Sequence, residues 1–304
     1  MPSFALEVIR VSLAAVSLFS PDRAGRLAFK IFSLTPSRRA KNAKEAAALE
    51  KAAPVLARAE RVSLSLSFAG SAAIAHRFVP DAVRANGKRI LVAHGWGSRV
   101  DYLTALIEGL VATGAEVVAL DWPGHGASPG RFLTMPQAVQ TVDAAWRHFG
   151  PFDAAVGHSF GGASLACAAG QALACVPARI PGRLVLIGAP SEMAWLFADF
   201  GRFMRLKPKV QAALESVVER LAGRPLQEFD AARLLGSLRT PVLVIHAEDD
   251  KEVAADHARR YAAANSRVRL LWANGLGHRR IVSAPPVIDA VCDFLGEGQD
   301  RAVA

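Results

Sequence analysis

No stretch limits what this chain can fold into more than Phe152-Asp153-Ala154-Ala155-Val156 followed by Gly157-His158-Ser159-Phe160-Gly161-Gly162. An apolar run of strand character leads into a G-x-S-x-G pentapeptide, and a Gly- and Ala-rich segment able to wind as a helix comes next. The backbone must therefore turn sharply from strand to helix at Ser159. Small residues at Gly157, Gly161 and Gly162 let strand and helix approach where any larger side chain would collide. Such a turn pushes the serine hydroxyl out of the backbone. Alone the hydroxyl is a poor nucleophile, and it needs a base and a pair of backbone N–H donors within reach. The pentapeptide by itself is nonspecific, because it also occurs as a plain strand-to-helix turn.

Three further segments supply what the turn lacks. His94-Gly95-Trp96-Gly97-Ser98 follows Lys88-Arg89-Ile90-Leu91-Val92-Ala93, a run that reads as a buried strand. Its His94 and Gly95 thus fall at a strand's C-terminal end, where open α/β sheets place their ligands. Asp250 stands in a loop just after the strand-like Pro241-Val242-Leu243-Val244-Ile245, and His278 in a loop after Val268-Arg269-Leu270-Leu271-Trp272. Along the chain the order is Ser, Asp, His, unlike that of chymotrypsin-like or subtilisin-like enzymes.

In this joint order the chain resembles the α/β-hydrolase-fold serine hydrolases of the esterase, lipase and thioesterase group, from about residue 61 to 295. The resemblance implies an α/β fold: a mostly parallel central sheet flanked by helices, with a small helical cap inserted at about 191–239 and a hydrolase domain spanning 61–300. It implies Ser159 as nucleophile, His278 as base and Asp250 as its orienting carboxylate. The family's spacing of an Asp three residues before a Val, here Val253, favours Asp250 over Asp249. The oxyanion would be held by the N–H of Phe160 and by one from the His94 loop, Trp96 with Gly95 as the alternative. Neither a metal nor an organic cofactor is required. His246 and His158 read as structural, and His257 and His148 as solvated helix residues. Asp121 and His125, in Asp121-Trp122-Pro123-Gly124-His125-Gly126-Ala127-Ser128, are expected to shape the loop after the fourth strand rather than react.

Within the expected cap, Trp195, Phe197 and Phe200 are candidates for lining an apolar acyl pocket. The expected activity is hydrolysis of small-molecule esters or thioesters with an apolar acyl group. Carbon–carbon bond hydrolysis, lipid hydrolysis at a membrane and a non-catalytic binding role remain open on the same residues, because function resides in sites grafted on a fold. A carboxylate nucleophile, as in dehalogenases of the fold, is excluded by Ser159.

The net charge of +9 invites a polyanion reading, but the basic residues are spread along the chain with no nucleic-acid-binding signature, so nucleic acid is not expected as a partner. Three cysteines without metal or redox spacing, Cys167, Cys175 and Cys292, suggest buried thiols and a reducing, cytoplasmic setting. Residues 1–60 read as a helical extension: Phe4 to Phe19, and Glu45 to Ala59 with a break at Pro54. Phe4 to Phe19 lacks the basic n-region and cleavage site of a signal peptide and is too short to span a bilayer. Packing on the body is one expectation for it. The other is peripheral membrane contact, with Phe4, Ile9, Leu13 and Phe19 on lipid and Arg23, Arg26 and Lys30 close behind.

Overall fold

Eight short runs, all but the first rich in Val, Ile, Leu and Ala, pair into one sheet in this computed structural model, which describes residues 4–67 and 71–297. They are β1 (Glu60–Ser65), β2 (Ala72–Phe78), β3 (Arg89–Ala93), β4 (Glu116–Asp121), β5 (Ala154–His158), β6 (Arg183–Ile187), β7 (Val242–His246) and β8 (Val268–Trp272), in the order β1-β2-β4-β3-β5-β6-β7-β8. From β4 across to β8 all pairs are parallel, whereas β2 runs antiparallel to both β1 and β4. Parallel strands need crossover connections, which bury both faces of the sheet, and the central strands accordingly lack polar alternation.

Alternate side chains of each central strand feed two separate cores. Leu91, Ala155, Leu184 and Val244 point into one, with α5 (Met135–Phe149) and α6 (Phe160–Ala169). Ile90, Val92, Val156 and Ile245 point into the other, with α4 (Thr104–Ala112) and α12 (Pro285–Gly296). All of these strand side chains are nearly inaccessible to water, so a one-residue register slip would exchange the two sets.

Three helices precede the sheet: α1 (Phe4–Phe19), α2 (Pro21–Phe32) and α3 (Ala43–Ala57). The expected break at Pro54 does not occur. Pro54 lies inside α3, which runs three residues past it. The carbonyl left without a partner belongs to Glu50, whose position is solvent-exposed, so water can satisfy it while Ala52 and Leu56 anchor the helix in the core. Helix α2 starts at a Ser20 cap that accepts from the Arg23 N–H, with Pro21 in its first turn. It packs closely on α8 (Pro208–Ala222). A Cβ on Gly25 would lie 2.6 Å from the Cβ of Ala213, so only glycine permits this approach.

Between β6 and β7 the chain leaves the sheet for α7 (Met193–Met204), α8 and α9 (Ala231–Gly236), where the sequence anticipated helices. After β7 come α10 (Ala255–Ala262) and, beyond β8, the short α11 (Gly277–Arg280). No helix among the described residues is long and apolar enough to cross a membrane.

Candidate active site

The last residue of β5 is His158, and the chain then reverses into α6 at Ser159, which adopts φ 52° and ψ −124°. A non-glycine residue held there stores on the order of 1–3 kcal/mol of strain. Close packing around it enforces the conformation: a Cβ on Gly161 would lie 2.4 Å from the Ala93 carbonyl oxygen, and one on Gly157 would lie 2.5 Å from the Gly162 nitrogen. Ser159 Oγ lies 3.0 Å from His278 Nε2, and His278 Nδ1 lies 2.7 Å from Asp250 Oδ2. The other oxygen, Oδ1, accepts the backbone N–H groups of Glu252 and Val253 at 2.8 and 2.9 Å. Burial alone would raise the Asp250 pKa, but the bonds from His278, Val253 and Glu252 outweigh it and hold the carboxyl below the ordinary range. The imidazole thus presents Nδ1–H to a carboxylate and Nε2 to the hydroxyl. Asp249 instead accepts the Gly275 N–H at 2.8 Å.

The backbone N–H groups of Phe160 and Trp96 donate no hydrogen bond among the described residues, whereas the neighbouring Ser159 N–H is occupied by the Ile187 carbonyl. The Trp96 loop is held from beneath. His125 Nε2 accepts the Gly97 N–H at 3.0 Å, and its Nδ1–H donates to the Pro123 carbonyl. Buried Asp121 gathers His76, the Val100 N–H and the Ala127 N–H, with His94 at 3.5 Å. Burial opposes ionisation of Asp121, yet the bonds from His76 and His94 keep it well below the usual carboxylate range. Sequence reading placed Asp121 and His125 in a structural role without showing that they brace the His94–Ser98 turn.

His158 donates from Nε2 to the His278 carbonyl at 2.8 Å, tying the elbow to the loop that carries His278. Its Nδ1 is buried with no partner among the described residues. Desolvation, helped by the nearby His278, pushes its pKa down to about 4, and desolvation with His94 pushes His125 down to about 4. In the unfolded chain both titrate at 6.5. Between these values the unfolded state binds protons that the folded state refuses. Their contribution is therefore present above pH 6.5, is lost as the pH falls towards 4, and declines no further below that. The depressed carboxyls of Asp121 and Asp250 add a loss only below their unfolded value of 3.8. Melting curves recorded from pH 7 to 4 are expected to show a steady fall in Tm, and a flat profile would contradict this assignment.

The remaining candidates separate. Phe197 and Phe200 both pack on Phe32 of α2, with ring centroids 4.4 and 5.1 Å away. Phe32 in turn stacks on Trp96 at 6.4 Å, linking these rings to the loop beside Ser159. Trp195 is not in this group and sits edge-on to His257 at 4.6 Å. His257 is buried rather than solvated as expected, because its Nδ1 receives Ser191 at the base of α7. His246 donates to the Val253 carbonyl, and His148 is exposed. Arg279 pairs with Glu252, while Arg280 caps the Gly275 and Leu276 carbonyls. Gly95 keeps its N–H at the turn, and its carbonyl accepts from Ser98 and His94.

A narrow apolar cavity runs beneath this cluster, lined by Phe29 and Phe32 of α2, Met135 of α5, Phe197 of α7, Val218 of α8 and Phe229. The contribution of α2 was missed in the sequence, although Phe29 and Phe32 stand three apart on one face of a predicted helical region. Of the three cysteines only Cys167 is buried, its thiol pushed up to about 12 by desolvation; Cys175 is exposed and Cys292 half-buried. No group of three His, Cys, Asp or Glu side chains among the described residues is arranged to hold a metal ion.

A hydrolase is what this fold and site define. The chain belongs to the alpha/beta hydrolase family, whose model matches residues 90–290. Among solved structures it is similar to the esterase domain of a Rhodothermus marinus protein, at 21% identity and a TM-score of 0.56, covering 80% of this chain and 98% of that one. It is similar also to Est1E of Butyrivibrio proteoclasticus with ferulic acid bound, at 17% identity and a TM-score of 0.58, covering 80% and 99%. A third is an esterase from Rhodococcus sp. ECU1013, at 18% identity and a TM-score of 0.55, covering 79% and 99%. At these identities the likeness is one of fold. No curated protein matches the chain.

Proposed function

We propose that this chain hydrolyses carboxylic esters, thioesters included, that carry an apolar acyl group, through an acyl-enzyme on Ser159. The observation that carries the reading is the run of contacts from Ser159 Oγ to His278 Nε2 at 3.0 Å and from His278 Nδ1 to Asp250 at 2.7 Å, on a strained elbow. As Oγ attacks the acyl carbonyl, Nε2 takes its proton, and Asp250 stabilises the imidazolium while keeping Nδ1–H in place. The oxyanion sits between the N–H groups of Phe160 and Trp96, each worth about 3 kcal/mol of barrier. Collapse expels the alcohol or thiol, which takes the proton from Nε2. Water then attacks the acyl-enzyme through the same base, releasing the acid and restoring Ser159.

The acyl chain is assigned to the apolar cavity under Phe32 and Phe197, which supports an apolar over a charged acyl group. Trp195, set against His257, contributes less to this reading than Phe197 and Phe200. The substrate is a small molecule, and the N-terminal helices give the enzyme a peripheral contact with a membrane. The test is hydrolysis of p-nitrophenyl esters of graded acyl length. Since burying a methylene is worth about 0.8 kcal/mol, kcat/KM is expected to rise roughly fourfold per added methylene until the cavity is filled. A burst of p-nitrophenol equal to the enzyme concentration would mark the acyl-enzyme. No hydrolysis of any ester or thioester, or a rate that falls with every added methylene, would overturn the reading.

A further inference from the structure

Helix α1 carries an apolar stripe that the protein leaves in water. Phe4, Val8, Val11 and Leu18 recur at helical spacing and are 87, 47, 66 and 74% exposed, with Phe19 at 91% beside them. Of the four residues that the sequence suggested for a lipid face, Phe4 and Phe19 lie on this side, and Ile9 and Leu13 do not. Leu13 is 2% exposed and Ile9 half-buried, and both pack inward with Leu6. The hydrophobic side of α1 is therefore divided, one stripe sealing it to the body and the other free. An exposed apolar strip of this size on one helix marks a contact surface.

Charge identifies what fits the strip. Basic residues are spread along the chain, but acidic ones are not: residues 1–44 carry eight basic and two acidic side chains, and residues 200–210 carry four basic and none acidic. Those two segments more than account for the net charge of +9. Helix α1, in the first segment, meets the second in space. Arg10 of α1 donates to the Phe203 carbonyl and lies over its ring, with 5.3 Å from the guanidinium carbon to the ring centroid, and Arg205 reaches Glu7 at 3.8 Å. Glu7, the only acidic residue of α1, is thereby held between two arginines. Phe203 is itself 54% exposed, beside exposed Arg202 and Lys207. Apolar rings and aliphatic side chains within a basic border match a lipid surface bearing negative headgroups. A second copy of the chain would bring the same positive charge to the contact and be repelled.

We infer that the exposed stripe of α1, with Phe203 and the basic residues around it, seats the protein on an anionic bilayer, α1 lying in the interface without crossing it. The inference extends the membrane contact proposed above but does not need the chemistry at Ser159. Helix α7 joins the two: Phe197 turns inward to the cavity with Phe200 packed on the core beside it, and Phe203 turns outward to the lipid.

The test is co-sedimentation of the full chain, as wild type and as Ser159→Ala, with vesicles of phosphatidylcholine alone or with about 30 mol % phosphatidylglycerol. Binding is expected to be about tenfold or more stronger on the anionic vesicles and to weaken as salt is raised. The double variant Val11→Asp/Leu18→Asp is expected to lose about tenfold or more of that binding, with unchanged hydrolysis of a water-soluble short-chain ester. Equal binding by the double variant, no binding to either vesicle, or a dimer in solution that the same two substitutions dissolve would overturn the inference. Binding by Ser159→Ala separates it from the chemistry, since an inactive wild type that still seats on anionic vesicles would sink only the proposed reaction.

Discussion

Ser159→Ala is expected to lower kcat for ester hydrolysis by about 10⁶-fold, to the level left by transition-state binding alone. No other hydroxyl in the site can take over, because His278 Nε2 has Ser159 Oγ as its one hydrogen-bond partner among the described residues. The fold should be indifferent. Oγ does not cap α6, and the strained φ of Ser159 is imposed by its neighbours rather than by its hydroxyl. Melting of the variant is thus expected within a few degrees of wild type. A variant that keeps turnover within about tenfold of wild type would remove Ser159 from the chemistry.

Asp250→Asn is expected to cost about 10⁴-fold in kcat while leaving the fold intact. The loop determines why. Oδ1 of Asp250 accepts two backbone N–H groups, so an asparagine must keep its carbonyl oxygen there and turn its NH₂ towards His278 Nδ1. A donor facing Nδ1 forces that nitrogen to accept, and the proton moves to Nε2. The ring then has no lone pair for the Ser159 proton. Asp249→Asn is the matched control: among the described residues Asp249 accepts only the Gly275 N–H, so its loss should change kcat by less than about tenfold. Equal losses in the two variants would contradict the assignment of Asp250, and a larger loss in Asp249→Asn would reverse it.

The parts of this architecture that depend on local chemistry could be read from the sequence. Gly157 and Gly162 on either side of Ser159 report a steric constraint that operates within six residues, whereas the collision that Gly161 avoids is with the Ala93 carbonyl at the end of β3. The central parallel strands β3, β5 and β7 are visible because both of their faces are buried, which makes each an apolar run ending in a polar loop. What escaped notice depends on contacts across the chain. His257 reads as an ordinary polar residue on an amphipathic helix, and only its meeting with Ser191, 66 positions away, makes burial tolerable. Phe32 looks like the end of a surface helix until Gly25 lets α2 settle on α8 and bring that ring to Trp96. Pro54 signals a break that the helix does not make, because the carbonyl it frees at Glu50 is open to water and Ala52 and Leu56 hold the helix against the core on either side. The basic border of the exposed stripe is likewise hidden in the sequence, because Arg202, Arg205 and Lys207 come beside it only once α1 and the end of α7 are adjacent.

Whether Ser159 is an activated nucleophile is read most directly by covalent labelling with a fluorophosphonate, followed by intact mass. An unactivated serine reacts negligibly with such a reagent, whereas one with a base at 3.0 Å and two free N–H donors for the phosphonyl oxygen reacts readily. A single adduct is expected on the wild type, located on the peptide that contains Ser159, and none on folded Ser159→Ala. A folded wild type that remains unlabelled, or an adduct that persists in the variant, would contradict it.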